Sequence, residues 1–249
     1  MFVCLVGDAH GALDHMFEEV LKLEQRLEQT FTAVLHVGDF GIWPDPNRLD
    51  EATRRHGGAG DFPRWLAERK EVPRKTIFIK GNHEDFAWLD AQPTREILPN
   101  LFYLPNGSVT EVSDGTDVLR IGGVGGCFGP TNFGRPSVSL QGKAKRHYTR
   151  DEIDMLISHG PIDLLLTHDA PAGVVFERHR RGPGFVSEAE GLDDLVRSLR
   201  PKVCFFGHHH TRVRSEIFGV PCEGLNEVRY PGGVAAVEMT AAGFRMVEG

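Results

Sequence analysis

Five short segments of this 249-residue chain carry aspartate, asparagine and histidine side chains of the types that bind metal ions. They are GDAH (7–10), GDF (38–40), GNHE (81–84), THDAP (167–171) and GHHH (207–210). Each segment follows a short apolar run, at the point where a strand would give way to a loop. One such segment alone is an ordinary polar turn, but five in this order predict a shared site.

Carboxylate, imidazole and amide groups are ligands that divalent metal ions take in proteins. Because Asp8 and His10 are two residues apart on a chain leaving a strand, both can turn toward one ion, and Asp39 can bridge this ion to another. The first ion is predicted to take Asp8, His10, Asp39 and His210. The second is predicted to take Asp39, Asn82, His168 and His208. Two ions roughly 3.5–4 Å apart can activate a bridging hydroxide and clamp a phosphoryl group for in-line attack.

His83 is adjacent to a predicted ligand but has no ion of its own to bind. We interpret it as a general acid for the leaving oxygen or as a donor to the phosphoryl group. His83 and the bridging Asp39 are therefore the predicted catalytic residues, and Asn82 and His83 are expected to contact the substrate. Asp169 and Glu84 are predicted to orient neighbouring imidazoles.

The elements that position these residues alternate between strand and helix in the first half of the chain. This alternation predicts an α/β fold with a parallel sheet, whose ligands lie at the carboxyl ends of the strands. Strands are predicted at 2–6, 33–37, 76–79, 164–167 and 203–206, and hairpins at 109–122 and 234–247. Helices are predicted at 13–28, 62–70 and near 188–199. A further helix is predicted to begin at the capping box of Thr149 and Glu152 and to end at about residue 158. Residues 41–63 are expected to form a long loop near the site. Because no linker interrupts the chain, a single domain over 1–249 is predicted.

Two basic clusters have both an ordinary and a functional interpretation. They are Lys143, Lys145 and Arg146, and Arg178, Arg180 and Arg181. The ordinary interpretation is solvated surface. The functional one is that Arg146 and Arg180 contact substrate phosphates, while Tyr148 and Phe133 stack on a base.

The remaining histidines are not expected to bind metal. His209 is predicted to flank the ligands of its segment without joining them. A structural or surface role is predicted for His15, His36, His56, His147, His159 and His179.

Composition argues against indiscriminate nucleic-acid binding, a disulfide-bonded scaffold and a membrane-spanning protein. The net charge of −7 argues against indiscriminate nucleic-acid binding, which depends on neutralising phosphates with lysine and arginine. The four cysteines are scattered without a C-x-x-C pair, and Cys4 and Cys204 lie in apolar runs, so buried free thiols are predicted. No apolar stretch is long enough to span a membrane, and a cytoplasmic location is expected.

The five segments resemble the motifs D-x-H, G-D, G-N-H-E/D, H and G-H-x-H of the calcineurin-like metallophosphoesterase superfamily. The resemblance implies a four-layer αββα sandwich with a dinuclear metal site. Position by position, it implies the two ligand sets given above, with His83 as the catalytic histidine. It also implies manganese as the cofactor, with iron or zinc as alternatives.

A closer resemblance extends from about residue 3 to about residue 172. The stretches KTIFIKGNHED, NLFYLPNGSV, LRIGGVGGCFG and IDLLLTHDAP are similar to those of RNA lariat debranching enzymes, which hydrolyse 2′–5′ phosphodiester branches. Those enzymes have cysteine where this chain has Asp8. Because a carboxylate should hold the first ion firmly, we expect a permanently dinuclear site, and whether the branched substrate is retained stays open.

The predicted function is hydrolysis of a nucleotide or nucleic-acid phosphodiester, with 2′–5′ branched RNA as one candidate, by a metal-bridging hydroxide assisted by His83. A phosphomonoesterase or protein phosphatase is one alternative, although protein phosphatases extend the second motif to G-D-x-V-D-R-G and residues 38–44 lack the added aspartate and arginine. The other alternative is a protein-binding scaffold resembling the retromer subunit of this fold, which the intact ligand set disfavours. No membrane association and no obligate protein partner are expected.

Overall fold

The strands of residues 1–55 and 57–247, the part of the chain that the computed structural model describes, form two large sheets and a short hairpin. The first sheet contains β1 (Phe2–Val6), β2 (Ala33–His36), β3 (Thr76–Phe78), β4 (Glu96–Leu98), β5 (Leu101–Tyr103), β14 (Val234–Thr240) and β15 (Gly243–Val247). The second contains β6 (Ser108–Ser113), β7 (Val118–Val124), β8 (Leu164–Thr167), β11 (Val203–Phe206), β12 (Val213–Ile217) and β13 (Val220–Gly224). The hairpin pairs β9 (Val175–Phe176) with β10 (Phe185–Val186).

Three apolar clusters show how the layers are arranged. Side chains of β1, β2 and β3 meet those of β7, β8 and β11 in one cluster between the two sheets. The outer face of each sheet is covered by helices in a separate cluster. The helices are α1 (Leu13–Leu27), α2 (Glu51–Arg55), α3 (Phe62–Glu68), α4 (Phe86–Asp90), α5 (Pro130–Phe133), α6 (Arg150–Ser158) and α7 (Leu192–Leu199). The predicted four-layer αββα sandwich is confirmed.

The topology brings the carboxyl ends of the central strands to one edge of the sandwich. In the first sheet β1, β2 and β3 are adjacent and parallel, and in the second sheet β8 and β11 are adjacent and parallel. Ligand sites of α/β proteins lie at such strand ends because the following loops converge there. Each of the five polar segments follows one of these five strands.

The predicted strands and helices agree with the structure to within one or two residues at most ends. The helix predicted near 188–199 begins later, at Leu192. The Thr149 capping box is present, because the Glu152 carboxylate accepts a hydrogen bond of 3.0 Å from the Thr149 N–H. The hairpin of β12 and β13 was not predicted. A single domain over 1–249 stays a prediction.

Two expectations from composition can be compared with the described residues. All four cysteines are free thiols, and three of them are buried, namely Cys4, Cys204 and Cys222. Among the helices of residues 1–55 and 57–247, none has the length and apolar character that crossing a bilayer requires. The prediction for His56 falls outside the described part of the chain.

We predict that Phe205→Ala lowers the free energy of unfolding by about 3–5 kcal/mol, because it removes a large buried side chain and leaves a cavity between the sheets. Phe205 is fully buried and packs against Phe244 with ring centroids 6.3 Å apart. Urea denaturation measures the change. Val138→Ala is the control. Because Val138 is 93% exposed, this substitution should change the free energy of unfolding by less than about 0.5 kcal/mol. Equal effects of the two substitutions would contradict the described core.

Candidate metal centre

The residues predicted to bind the first ion converge at the ends of β1 and β11. The His210 Nε2 atom lies 3.0 Å from the Asp8 Oδ2 atom and 3.1 Å from the His10 Nε2 atom. The His10 Nε2 atom also lies 3.8 Å from the Asp39 Oδ2 atom. These four side chains come from segments up to 202 residues apart, and their donor atoms face a common point.

The second group of predicted ligands lies beside the first and shares Asp39 with it. The His168 Nε2 atom is 3.0 Å from the Asn82 Oδ1 atom and 3.5 Å from the Asp39 Oδ2 atom. The His208 ring packs against His168 with centroids 5.1 Å apart, although its nitrogens make no direct contact with the other ligand atoms in the described geometry. The structure thus brings together all seven residues, with His208 at the margin.

Four of these residues have a left-handed backbone, which is uncommon for residues other than glycine. The φ angles are 45° at His10, 53° at Asp39, 63° at His208 and 49° at His210. Such conformations cost of order 1–3 kcal/mol each and cluster at functional sites, where the surrounding structure holds them. Each one turns the chain sharply after a strand, and the side chains of His10, Asp39 and His210 are thereby brought into the ligand group.

Glycines in the segments make room for ligands of other segments. A Cβ atom on Gly81 would lie 1.9 Å from the Asp39 Oδ1 atom, and a Cβ atom on Gly207 would lie 2.2 Å from the Asp8 Oδ1 atom. Both distances are far shorter than any real contact of a Cβ atom. The two carboxylates therefore occupy space that any other residue at 81 or 207 would fill.

Burial and mutual attraction set the protonation of this group. Burial by itself would lower the pKa of His168, but the Asp39 and Asp8 carboxylates raise it to about 10. Burial by itself would raise the pKa of Asp8, but the His210 hydrogen bond and the His168 charge lower it to about 2. The carboxylates are therefore ionised and are compensated by protons on imidazoles.

The donor set fits divalent metal ions. One His168 nitrogen, Nδ1, donates a hydrogen bond of 2.9 Å to the Val37 carbonyl, which fixes the ring with Nε2 directed at the carboxylates. A metal-binding histidine usually donates a hydrogen bond of this kind from the ring nitrogen that does not bind the metal. The proton that His168 carries beside the carboxylates occupies a position where a cation would supply the same charge. Neutral imidazole, carboxylate and amide oxygen are all suitable ligands for such a cation.

His83 lies next to this group and has two supports that sequence reasoning missed. Its Nδ1 atom is 3.4 Å from the Thr53 Oγ1 atom and 3.8 Å from the Asp50 Oδ2 atom. Asp50 is in turn held by the Thr53 N–H at 2.7 Å. Both residues belong to the excursion of 41–63, where no motif spacing distinguishes them from other polar residues. The backbone N–H of His83 donates to the Asp39 Oδ1 atom at 2.8 Å.

The predicted role of Glu84 was wrong. Instead of orienting an imidazole, its carboxylate accepts hydrogen bonds of 2.6–3.1 Å from the N–H groups of Phe40, Gly41 and Ile42. Glu84 therefore fastens the loop that follows Asp39 to the loop that follows β3.

Asp169 does contact an imidazole, but that of His209 and not that of a predicted ligand. The Asp169 Oδ1 atom is 3.0 Å from His209 Nε2, and His209 Nδ1 is 3.1 Å from His179 Nε2. His209 is buried, and its ring packs against Phe176 with centroids 4.5 Å apart. His209 thus ties the β9–β10 hairpin to the ligand loop, a role that its position between two ligands does not reveal.

The remaining predicted substrate contacts lie outside the ligand group. Arg146 is half-buried, and its charge helps to lower the pKa of Asp50, so it lies on the His83 side of the site. Arg180 is exposed on the β9–β10 hairpin. The prediction that Tyr148 and Phe133 stack on a base was wrong, because both are buried in the core and their rings pack together with centroids 5.9 Å apart.

Comparison with protein families assigns the chain. The model of the family described as calcineurin-like phosphoesterase matches residues 1–212. The chain belongs to this family. The predicted resemblance is therefore confirmed, and membership places the chain among the phosphoric ester hydrolases.

Its curated relatives include lariat debranching enzymes from several eukaryotes. The chain is 27% identical to the enzyme of Schizosaccharomyces pombe over 99% of its own length and 55% of the relative. It is 23% identical to the enzyme of Entamoeba histolytica over 95% of its length and 72% of the relative. The chain thus spans about half the length of the Schizosaccharomyces pombe enzyme.

Solved structures show the same fold at low sequence identity. The protein TT1561 of Thermus thermophilus superposes with a TM-score of 0.58 at 13% identity, covering 99% of this chain and 98% of that one. GAP50, described as the anchor in the inner membrane complex of Plasmodium, gives a TM-score of 0.55 at 12% identity, covering 100% of this chain and 84% of that one. These similarities concern the fold alone.

We predict that Gly81→Ala weakens Mn²⁺ binding at least about ten-fold, because the added Cβ atom displaces the Asp39 carboxylate. Isothermal titration calorimetry measures the affinity, and circular dichroism shows whether the fold is retained. Gly134→Ala is the matched control, since nothing lies within 4 Å of a Cβ atom there and the φ angle is −83°. Wild-type affinity in folded Gly81→Ala protein would contradict the proposed role of Asp39.

Proposed function

We propose that this protein is a metal-dependent phosphodiesterase that hydrolyses a nucleotide or nucleic-acid phosphodiester. The observation that carries the proposal is a pair of adjoining groups beside His83, in which two buried carboxylates, the imidazoles of His10, His168 and His210 and one amide converge, with His208 packed on His168. Family membership supports ester hydrolysis, and the relatives named as lariat debranching enzymes support a diester as the substrate. Branched 2′–5′ RNA is accordingly one candidate within this class.

Two divalent ions are proposed as cofactors, with manganese as the first choice and iron or zinc as alternatives. The first would be held by Asp8, His10, Asp39 and His210. The second would be held by Asp39, Asn82, His168 and His208. When bound, such ions supply a nucleophile at neutral pH and stabilise the charge that develops on phosphoryl oxygens.

The chain's own residues position the ligands and move the proton of the leaving group. Asp39 lies between the two ligand groups and accepts the backbone N–H of His83, which fixes the distance between His83 and the ligands. Asp50 and Thr53 contact the Nδ1 atom of His83, so its Nε2 atom is the one we assign to the leaving oxygen. The Asp50 carboxylate also favours the protonated imidazole, which is the form that can donate a proton.

Protonated His83 has to exist in part at working pH for this role. Burial lowers the pKa of His83, whereas the Asp39 and Asp50 carboxylates oppose that effect. Because burial outweighs the two carboxylates, protonated His83 is expected to give up its proton readily. Arg146 and Arg180 stay predicted substrate contacts, and a cytoplasmic location and the absence of an obligate partner stay predictions.

We predict that His83→Ala lowers kcat about 10²–10⁴-fold while metal content stays near wild type, because general acid catalysis contributes about that much. Elemental analysis of the purified protein and hydrolysis of bis(p-nitrophenyl) phosphate measure the two quantities. Asp39→Ala is the contrasting variant, and it should lose metal from both groups. If His83→Ala lost the metal as well, His83 would be a ligand and its proposed role would be wrong.

A panel of substrates in the presence of Mn²⁺ tests the proposed reaction. We expect faster hydrolysis of bis(p-nitrophenyl) phosphate than of p-nitrophenyl phosphate, followed by activity on one member of a set of branched 2′–5′ RNA, linear RNA and cyclic nucleotides. Removal of the metal with a chelator should abolish turnover, and Mn²⁺ should restore it. A strong preference for the monoester would overturn the proposal in favour of a phosphomonoesterase.

A further inference from the structure

A groove lies at the edge of the second sheet, beside the segment that follows His210. One wall is the segment Thr211–Ser215, and the other is Val175–Arg178 of the β9–β10 hairpin. The cavity between them measures about 700 Å³. That volume is within the range that holds a drug-sized ligand, which corresponds to about one or two nucleotides.

Both walls of the groove are joined to the GHHH segment, which carries two predicted ligands. The first wall begins at Thr211, directly after His210, and Arg214 lies at most roughly 14 Å of extended chain from His210. In the second wall, Phe176 packs on His209, which also contacts His179. A molecule bound in the groove is therefore held at a fixed and short distance from the ligand group.

The groove is lined by three arginines, Arg178, Arg212 and Arg214, and by the exposed Glu177 next to Arg178, and the charges of the two arginines on the second sheet are only partly compensated. Arg212 and Arg214 share a single carboxylate, that of Glu223, at 2.6 and 3.5 Å. Arg212 also donates to the Gly224 carbonyl and is largely buried, so its position is fixed by the protein. Arg214 is 65% exposed, and Arg178 is exposed on the opposite wall.

Resting on the phosphodiesterase function proposed above, we infer that this groove binds the phosphate backbone of a single-stranded polynucleotide next to the bond that is cleaved. Exposed arginines on both walls of a groove suit a chain of phosphates, because guanidinium groups make charge-assisted bonds to phosphate oxygens. The inference narrows the substrate class to oligonucleotides that extend at least one or two residues beyond the scissile phosphate. It also reconciles a net charge of −7 with a nucleic-acid substrate, since the positive charge is needed only locally.

Edge strands such as β12 can also pair with an extended peptide. Two features favour the polynucleotide. One wall of the groove begins at Thr211, directly after the proposed ligand His210, and exposed cations stand on both walls. A peptide that used the edge of β12 would depend on backbone pairing and not on the Arg178 side chain.

The test uses the full chain with Mn²⁺ and measures how a single-stranded RNA of about twelve nucleotides inhibits hydrolysis of bis(p-nitrophenyl) phosphate. The double variant Arg178→Ala/Arg214→Ala should raise the inhibition constant of the RNA roughly ten-fold. The slope of log affinity against log salt concentration should also become less steep by about 1.4, because two phosphate contacts are lost. The kcat and KM for the small diester should stay within about two-fold of wild type, because it does not reach the groove.

Lys22→Ala/Lys75→Ala is the matched control, because it removes two exposed positive charges from the other sheet layer. It should leave the inhibition constant of the RNA unchanged, and a nucleoside monophosphate, which is too short to reach the groove, should inhibit wild type and groove variant alike. Unchanged inhibition of the groove variant by RNA, or an equal loss in the control, would overturn the inference. Failure of wild type to hydrolyse any diester would instead overturn the proposed function, so the two failures are distinguishable.

Discussion

The repulsion between two buried carboxylates is the constraint on which the site depends. Oxygens of Asp8 and Asp39 lie within 4.8 Å of each other, and both side chains are shielded from water. At an effective dielectric constant of about 20, two such charges repel by about 3 kcal/mol. Positive charge has to stand between them, whether as imidazolium or as metal ions. The surrounding histidines, and the strands that carry them, are arranged to satisfy this demand.

Rigidity of the two sheets makes this arrangement possible. Left-handed backbone at His10, Asp39, His208 and His210 is unfavourable in isolation, and it persists because each residue is anchored to a central strand that ends two to four residues earlier. The loops are further held by Glu84, which gathers three N–H groups of the loop after Asp39. The backbone strain is thus concentrated at the ligand residues, and the packing of the sandwich beneath them offsets its energetic cost.

Much of the fold and of the ligand set could be predicted from the sequence. Buried β-branched runs and the five polar segments are local signals, and parallel strands bring such segments together at one edge. Contacts that depend on loop conformation could not be predicted. Asp50 and Thr53 reach His83 only because the excursion folds back over the site, and His209 is buried only because the β9–β10 hairpin covers it. Tyr148 was misjudged because a tyrosine beside a basic cluster looks exposed until the core is known.

The positions of Asp8 and His208 along the chain have a consequence for how the protein matures. The Asp8 carboxylate accepts hydrogen bonds from the His208 N–H, 200 residues later, and β1 pairs with β14, which follows later still. At translation rates of about 5–20 residues per second, roughly 10–40 s separate the synthesis of the two residues. During that interval β1 has no antiparallel neighbour and Asp8 has no imidazole of the GHHH segment beside it. The group of proposed metal ligands is therefore completed late in synthesis, only after the GHHH segment has been made.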